Sequence, residues 1–151
     1  METTQTIAVL EDLNQTLEDG REGFRSAADK LAEDGHDQLA IEMRELSSQR
    51  DQLSRELVKT AADHGLTIET GEGSAAGALH RSWMSMKDAL TGDDPHAILS
   101  AAERGEDHAV AQFRGALSED LPGAIRAVVD QQAAAVKAAH DRVRDLRDSR
   151  A

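Results

Sequence analysis

The chain has 151 residues, no cysteine, and 17 Lys+Arg against 29 Asp+Glu, a formal net charge of −12. One domain fits that length, residues 1–151. Disulfide and thiolate-metal frameworks are excluded, and so acidic a surface repels nucleic acid and anionic lipid. Phe24, Phe113 and Trp83 are the only aromatic residues, and the Ala-, Leu-, Glu- and Arg-rich remainder favours an all-α fold. No apolar run reaches the roughly 20 residues of a membrane span. Met1-Glu2-Thr3-Thr4 lacks the basic start and apolar middle of a secretory leader, so the expected location is the cytoplasm.

The first helix is expected over about residues 4–32. Leu10, Leu13, Leu17, Gly20, Phe24, Ala27 and Leu31 alternate in steps of three and four, a seam that turns one stripe to a partner. Gly20 is out of place there, because Gly inside a helix costs about 0.5–1 kcal/mol relative to Ala. Asp34-Gly35 ends the helix, the glycine suiting a left-handed cap. The second helix, about 37–64, repeats the spacing through Leu39, Met43, Leu46, Arg50, Leu53, Leu57 and Thr60, with Arg50 the misfit and Gly65 the stop. The short turn makes the pair an antiparallel hairpin and sets Gly20 opposite Arg50.

Leu66 to Ser74 reads as a loop. A shorter helix is expected over 75–90, capped by Ser74 and spaced by Leu79, Trp83, Met86 and Leu90. Gly71 to Gly77 has the look of a phosphate loop but lacks a preceding strand and a lysine, so it reads as linker. Asp94 and Pro95 open the next helix, about 95–117, whose seam is Leu99, Ala102, Glu106, Ala109, Phe113 and Ala116. The last, about 122–147, carries Ile125, Val129, Gln132, Val136, Ala139, Val143 and Leu146. Two hairpins joined by a long connection with its own helix define a ferritin-like four-helix bundle with a crossover. A faint internal repeat sets Glu18-Asp19-Gly20 beside Glu103-Arg104-Gly105.

Four runs carry a family likeness. They are Asp19-Gly20-Arg21-Glu22-Gly23-Phe24, Gly77-Ala78-Leu79-His80-Arg81-Ser82-Trp83, Glu103-Arg104-Gly105-Glu106-Asp107 and Ala138-Ala139-His140-Asp141-Arg142-Val143. They resemble a bacterial family of ferritin-like four-helix-bundle proteins of unknown function, over about residues 7–146. The resemblance implies that fold and brings no activity, substrate or catalytic residue with it.

A two-metal site in such a bundle draws a Glu from each of two helices and a Glu-x-x-His from each of the other two. The one Glu-x-x-His match, Glu33 to His36, falls in a turn. Helix 1 offers Gly20 where a ligand is wanted, with Glu18 and Glu22 pointing off the stripe, and helix 2 offers Arg50, a fixed cation. The expected arrangement is therefore a structural polar layer of Gly20, Arg50, Glu106 and Gln132, without cofactor. Arg50 pairs with Glu106 and Gln132 supplies hydrogen bonds, a device for register more than for net stability. Two alternatives stand beside it. Either charge can snorkel out between the helices, or Glu103, Glu106 and His140 can form an unconventional iron or manganese site of an oxidase or metal store. The glutamate-aspartate runs Glu18-Asp19 and Glu106-Asp107 read as solvated surface. The functional expectation is a non-enzymatic structural or protein-interaction bundle, stress-associated, with self-association or a protein partner, and neither nucleic acid nor a membrane span.

Overall fold

The computed structural model describes residues 1–70 and 81–150. Every regular element among them is helical: α1 (Thr3–Glu33), α2 (Asp37–Asp63), a single 3-10 turn (Arg81–Trp83), α3 (Met84–Ala89), α4 (Pro95–Leu117) and α5 (Gly123–Asp148). The four long helices pack in a ring, α1 on α2 and α4, and α5 on α4 and α2.

Local chemistry fixes the ends. Gly35 and Gly65 sit at φ +84° and +77°, where an L side chain would be strained. Each closes its helix with paired bonds, from His36 N to Leu31 O and Gly35 N to Ala32 O, and from Leu66 N to Ala61 O and Gly65 N to Ala62 O. This paired closure satisfies carbonyls that the last turn leaves free. At the start of α4, Asp94 Oδ1 accepts the His96 backbone N–H at 3.0 Å, and Pro95 takes the first helical position, where its missing N–H is harmless.

Of the helix expected over 75–90, residues 81–90 are described. Ser74 and Leu79 lie outside the described residues, as does the glycine-rich stretch. The described part is one tight turn followed by six residues of α3. The turn drives Trp83 into the interior, where it is 2% exposed beside fully buried Met86, while Met84 points out.

The seams are the buried faces. All seven seam residues of α1 are buried, and so are those of α4. On α2, Leu46, Leu53 and Thr60 are half-buried at the rim. α1 also buries residues off its stripe, including Asn14, Gly23 and Ala28, because it packs against α2, α4 and the crossover together. The apolar interior divides in two. One cluster holds Phe24, Leu31, Met43, Trp83, Met86 and Leu99; the other holds Leu10, Leu17, Leu57, Ile68, Phe113 and Val129. Ile68 lies in the second and Trp83 in the first, so the connection from α2 to α4 passes from one end of the ring to the other. Between the clusters lie Arg50 and Glu106.

Candidate functional site

Arg50 and Glu106 are both fully buried, and Arg50 Nη2 donates to Glu106 Oε2 across the interior from α2 to α4. Neither side chain escapes to the surface. The guanidinium is enclosed from three directions. A Cβ built on Gly20 would stand 2.7 Å from Arg50 Nη1, so the missing side chain of α1 is the space the cation occupies. Phe24, one turn on, places its ring centroid 5.3 Å from Arg50 Cζ, a cation–π contact in a desolvated setting. Glu106 closes the third side. Burial pushes the Glu106 carboxyl above its ordinary range, against the pull of Arg50 and, more weakly, His140.

Gln132 does not complete this pair. It is fully buried on α5, but its Nε2 donates to Leu53 O at 3.0 Å and to Glu56 Oε1 at 2.8 Å, which ties α5 to α2. Its Oε1 has no hydrogen-bond partner among the described residues, nor do Arg50 Nε, Arg50 Nη1 and Glu106 Oε1. The layer is thus two separate links, α2 to α4 and α2 to α5, with α2 common to both.

A third link was hidden off the stripe. Ser54 Oγ lies 2.6 Å from Asn14 Oδ1 and 2.8 Å from Glu18 Oε1, joining α1 to α2. One hydroxyl proton cannot serve two acceptors. Turning the Asn14 amide so that Nδ2, otherwise unpartnered, faces the hydroxyl lets Ser54 donate to Glu18. Glu18 therefore faces its neighbour helix, and Asp19 is 7% exposed, so this acidic run is not solvated surface. In Glu106-Asp107, only Asp107 is exposed. Ser54→Ala is expected to cost about 1–3 kcal/mol in urea unfolding, because it strands the buried Asn14 amide. Pairing it with Asn14→Leu should recover part of that loss.

Each member of the alternative set Glu103, Glu106 and His140 has an ionic partner outside the set. Glu103 is bound by Arg147, Glu106 by Arg50, and His140 by Asp107 and Asp141. Among the described residues no group of three or more His, Asp or Glu side chains is placed to hold a metal ion. The Glu33 to His36 match spans the turn, where Gly35 takes its left-handed conformation and His36 precedes α2.

The crossover makes the tightest contact on the layer. Trp83 fits between α1 and α4 at Gly23 and Gly105, where a Cβ on either glycine would fall inside the indole's van der Waals surface. Its ring meets Phe24 edge to face, centroids 5.2 Å apart at 70°. Trp83, Phe24, Arg50 and Glu106 therefore form one continuous stack from the crossover to α4. The glycines that meet the indole are Gly23 and Gly105, while Gly20, which the repeat read from sequence set beside Gly105, meets Arg50.

Chemically, this is a sealed arrangement. Arg50, Glu106 and Gln132 have no exposed surface, so none of them meets a substrate while the helices stay packed. The arrangement defines an all-helical protein with a paired ionic layer at the centre of its core. The chain belongs to the family described as Domain of unknown function (DUF2383), whose pattern matches residues 5–119. The match takes in Gly20, Arg50, Trp83 and Glu106 and stops before α5, which carries Gln132 and His140. No curated protein matches the chain.

Proposed function

We propose that this protein is a ferritin-like four-helix bundle of bacterial origin that works in the cytoplasm as a structural or protein-interaction module and catalyses no reaction. Its central polar layer stands where ferritin-like carboxylate proteins hold two metal ions. The observation that carries the reading is Arg50. A guanidinium cannot shed its proton in a protein. Buried beside Glu106, it takes up the one central carboxylate and sets a fixed positive charge where a cation would have to sit. Two antiparallel hairpins and a connection running from end to end support the ferritin-like assignment.

The test is metal analysis of protein purified without chelator, then melting with and without ferrous or manganous ion, with sedimentation to read self-association. Substoichiometric metal and an unchanged melting temperature are expected. A tightly held stoichiometric metal that disappears in Glu106→Ala would overturn the proposal in favour of an iron or manganese oxidase or store.

A further inference from the structure

His140 offers a device that the polar layer alone does not. The ring lies on α5, its side chain 16% exposed, with a carboxylate on each nitrogen: Asp107 Oδ1 of α4 at 2.7 Å from Nε2, and Asp141 Oδ1 at 3.0 Å from Nδ1. An ionised carboxylate only accepts hydrogen bonds, and a neutral imidazole has one N–H and one lone pair. A neutral ring would therefore turn a lone pair toward one of the two oxygens. Only the imidazolium donates to both.

We propose that His140 is a proton-operated clasp between α4 and α5, closed as imidazolium and opened when the ring releases its proton to solvent. Charged neighbours stand on α5, α4 and α2; on α4, Arg104 and His108 flank Asp107 in sequence. On α5, Asp141 is also held by Lys137 and contacted by Arg144. These cations fix one carboxylate and leave Asp107, whose ion pair among the described residues is with His140, to the ring. On α4, Glu103 is occupied by Arg147, and on α2, Glu42 is occupied by Arg142 through two bonds of 2.8 and 2.9 Å. Behind Asp107 lies Glu106, which feels the positive ring as well as Arg50. Opening the clasp thus removes one of the two cations that favour ionised Glu106 and couples a surface proton to the buried pair.

The sign follows from the ring's surroundings. Burial disfavours the charged ring, but the bonds to Asp141 and Asp107 outweigh it, so the pKa of His140 stands above the ordinary histidine value. Asp141 in turn is drawn down to about 2, chiefly by Lys137 and then by His140. A histidine raised in the folded state stabilises fully below its unfolded value, near pH ~6.5, and loses that contribution as pH rises through the folded value.

Proton NMR of the full chain tests this through the ring resonances of the six histidines, assigned by substitution. His140 is expected to titrate above the ordinary histidine value of about 6.5 and to move down toward it in Asp107→Asn. Melting curves give a second readout. The gap between wild type and His140→Gln is expected to be about 2–4 °C near pH ~6 and to close by about pH 9. A His140 midpoint at the ordinary histidine value and unmoved in Asp107→Asn would overturn the clasp. So would a melting gap that stays constant across the range.

Discussion

Glu106→Gln is expected to destabilise the protein by about 3–5 kcal/mol in denaturant unfolding, because it leaves a buried guanidinium without a counter-charge. A guanidinium has no way to relieve this by giving up its charge. The reverse change differs. Arg50→Met leaves Glu106 alone, and a carboxyl can take up a proton. Burial already pushes Glu106 upward, and Arg50 supplies the first pull against that push. Removing Arg50 should raise the carboxyl further. For an acid raised in the folded state, folding binds the proton, so stability falls as pH rises from the ordinary carboxylate value through the folded one. Arg50→Met should therefore be costly near neutrality and recover on acidification, while Glu106→Gln stays costly throughout. The double change Arg50→Met/Glu106→Leu is expected to be neutral or stabilising by up to about 4 kcal/mol, as for buried pairs replaced by apolar groups of similar volume. A Glu106→Gln cost below about 1 kcal/mol would mean that the cation finds water, against its complete burial.

The second large effect sits on the crossover. Trp83→Ala is expected to cost about 3–5 kcal/mol, the range for deleting a buried indole. Gly23→Ala and Gly105→Ala pit two effects against each other. Alanine improves helix propensity by about 0.5–1 kcal/mol. Its Cβ, however, collides with the indole on either helix, and overpacking of this kind costs about 1–3 kcal/mol. The steric term should win, because the obstacle is a rigid ring wedged from both sides. In a Trp83→Ala background the sign should reverse, and each Gly→Ala should become neutral or stabilising. That reversal is a double-mutant cycle with the indole as the coupled partner. Trp83 is the sole tryptophan, so its emission reads its own displacement. A red shift is expected in Gly105→Ala before any loss of helix signal. Additive effects in the cycle would show that the glycines serve something other than the indole.

Much of this architecture could be read before any coordinates. The steps of three and four repeat over four segments long enough to fix their buried faces. A charged residue in such a seam announces itself, as Arg50 and Glu106 do. What the seam conceals is everything beside it. Asn14, Gly23 and Ser54 occupy neighbouring rows, where a polar or small residue is unremarkable until a second helix or the crossover is known to cover it. Gln132 was legible as buried and polar but not in its aim. Its amide reaches the Leu53 backbone and Glu56 on α2 instead of Glu106. The acidic runs misled for the same reason. Adjacent residues on a helix face different ways, so Glu106 and Asp107 part company, one sealed and one in solvent.

The division of the interior has a consequence for motion. Each apolar cluster is complete at its own end, and the ionic layer separates them. A fluctuation that loosens one end need not bring the other into contact with water. Opening free energies in such a structure can differ from end to end. Trp83 and α3 brace the end that holds Phe24 and Met43, while the opposite end relies on the packing of Leu10, Leu57 and Phe113. Amide exchange should therefore resolve two cooperative units along the same four helices, with Arg50 and Glu106 at their common boundary.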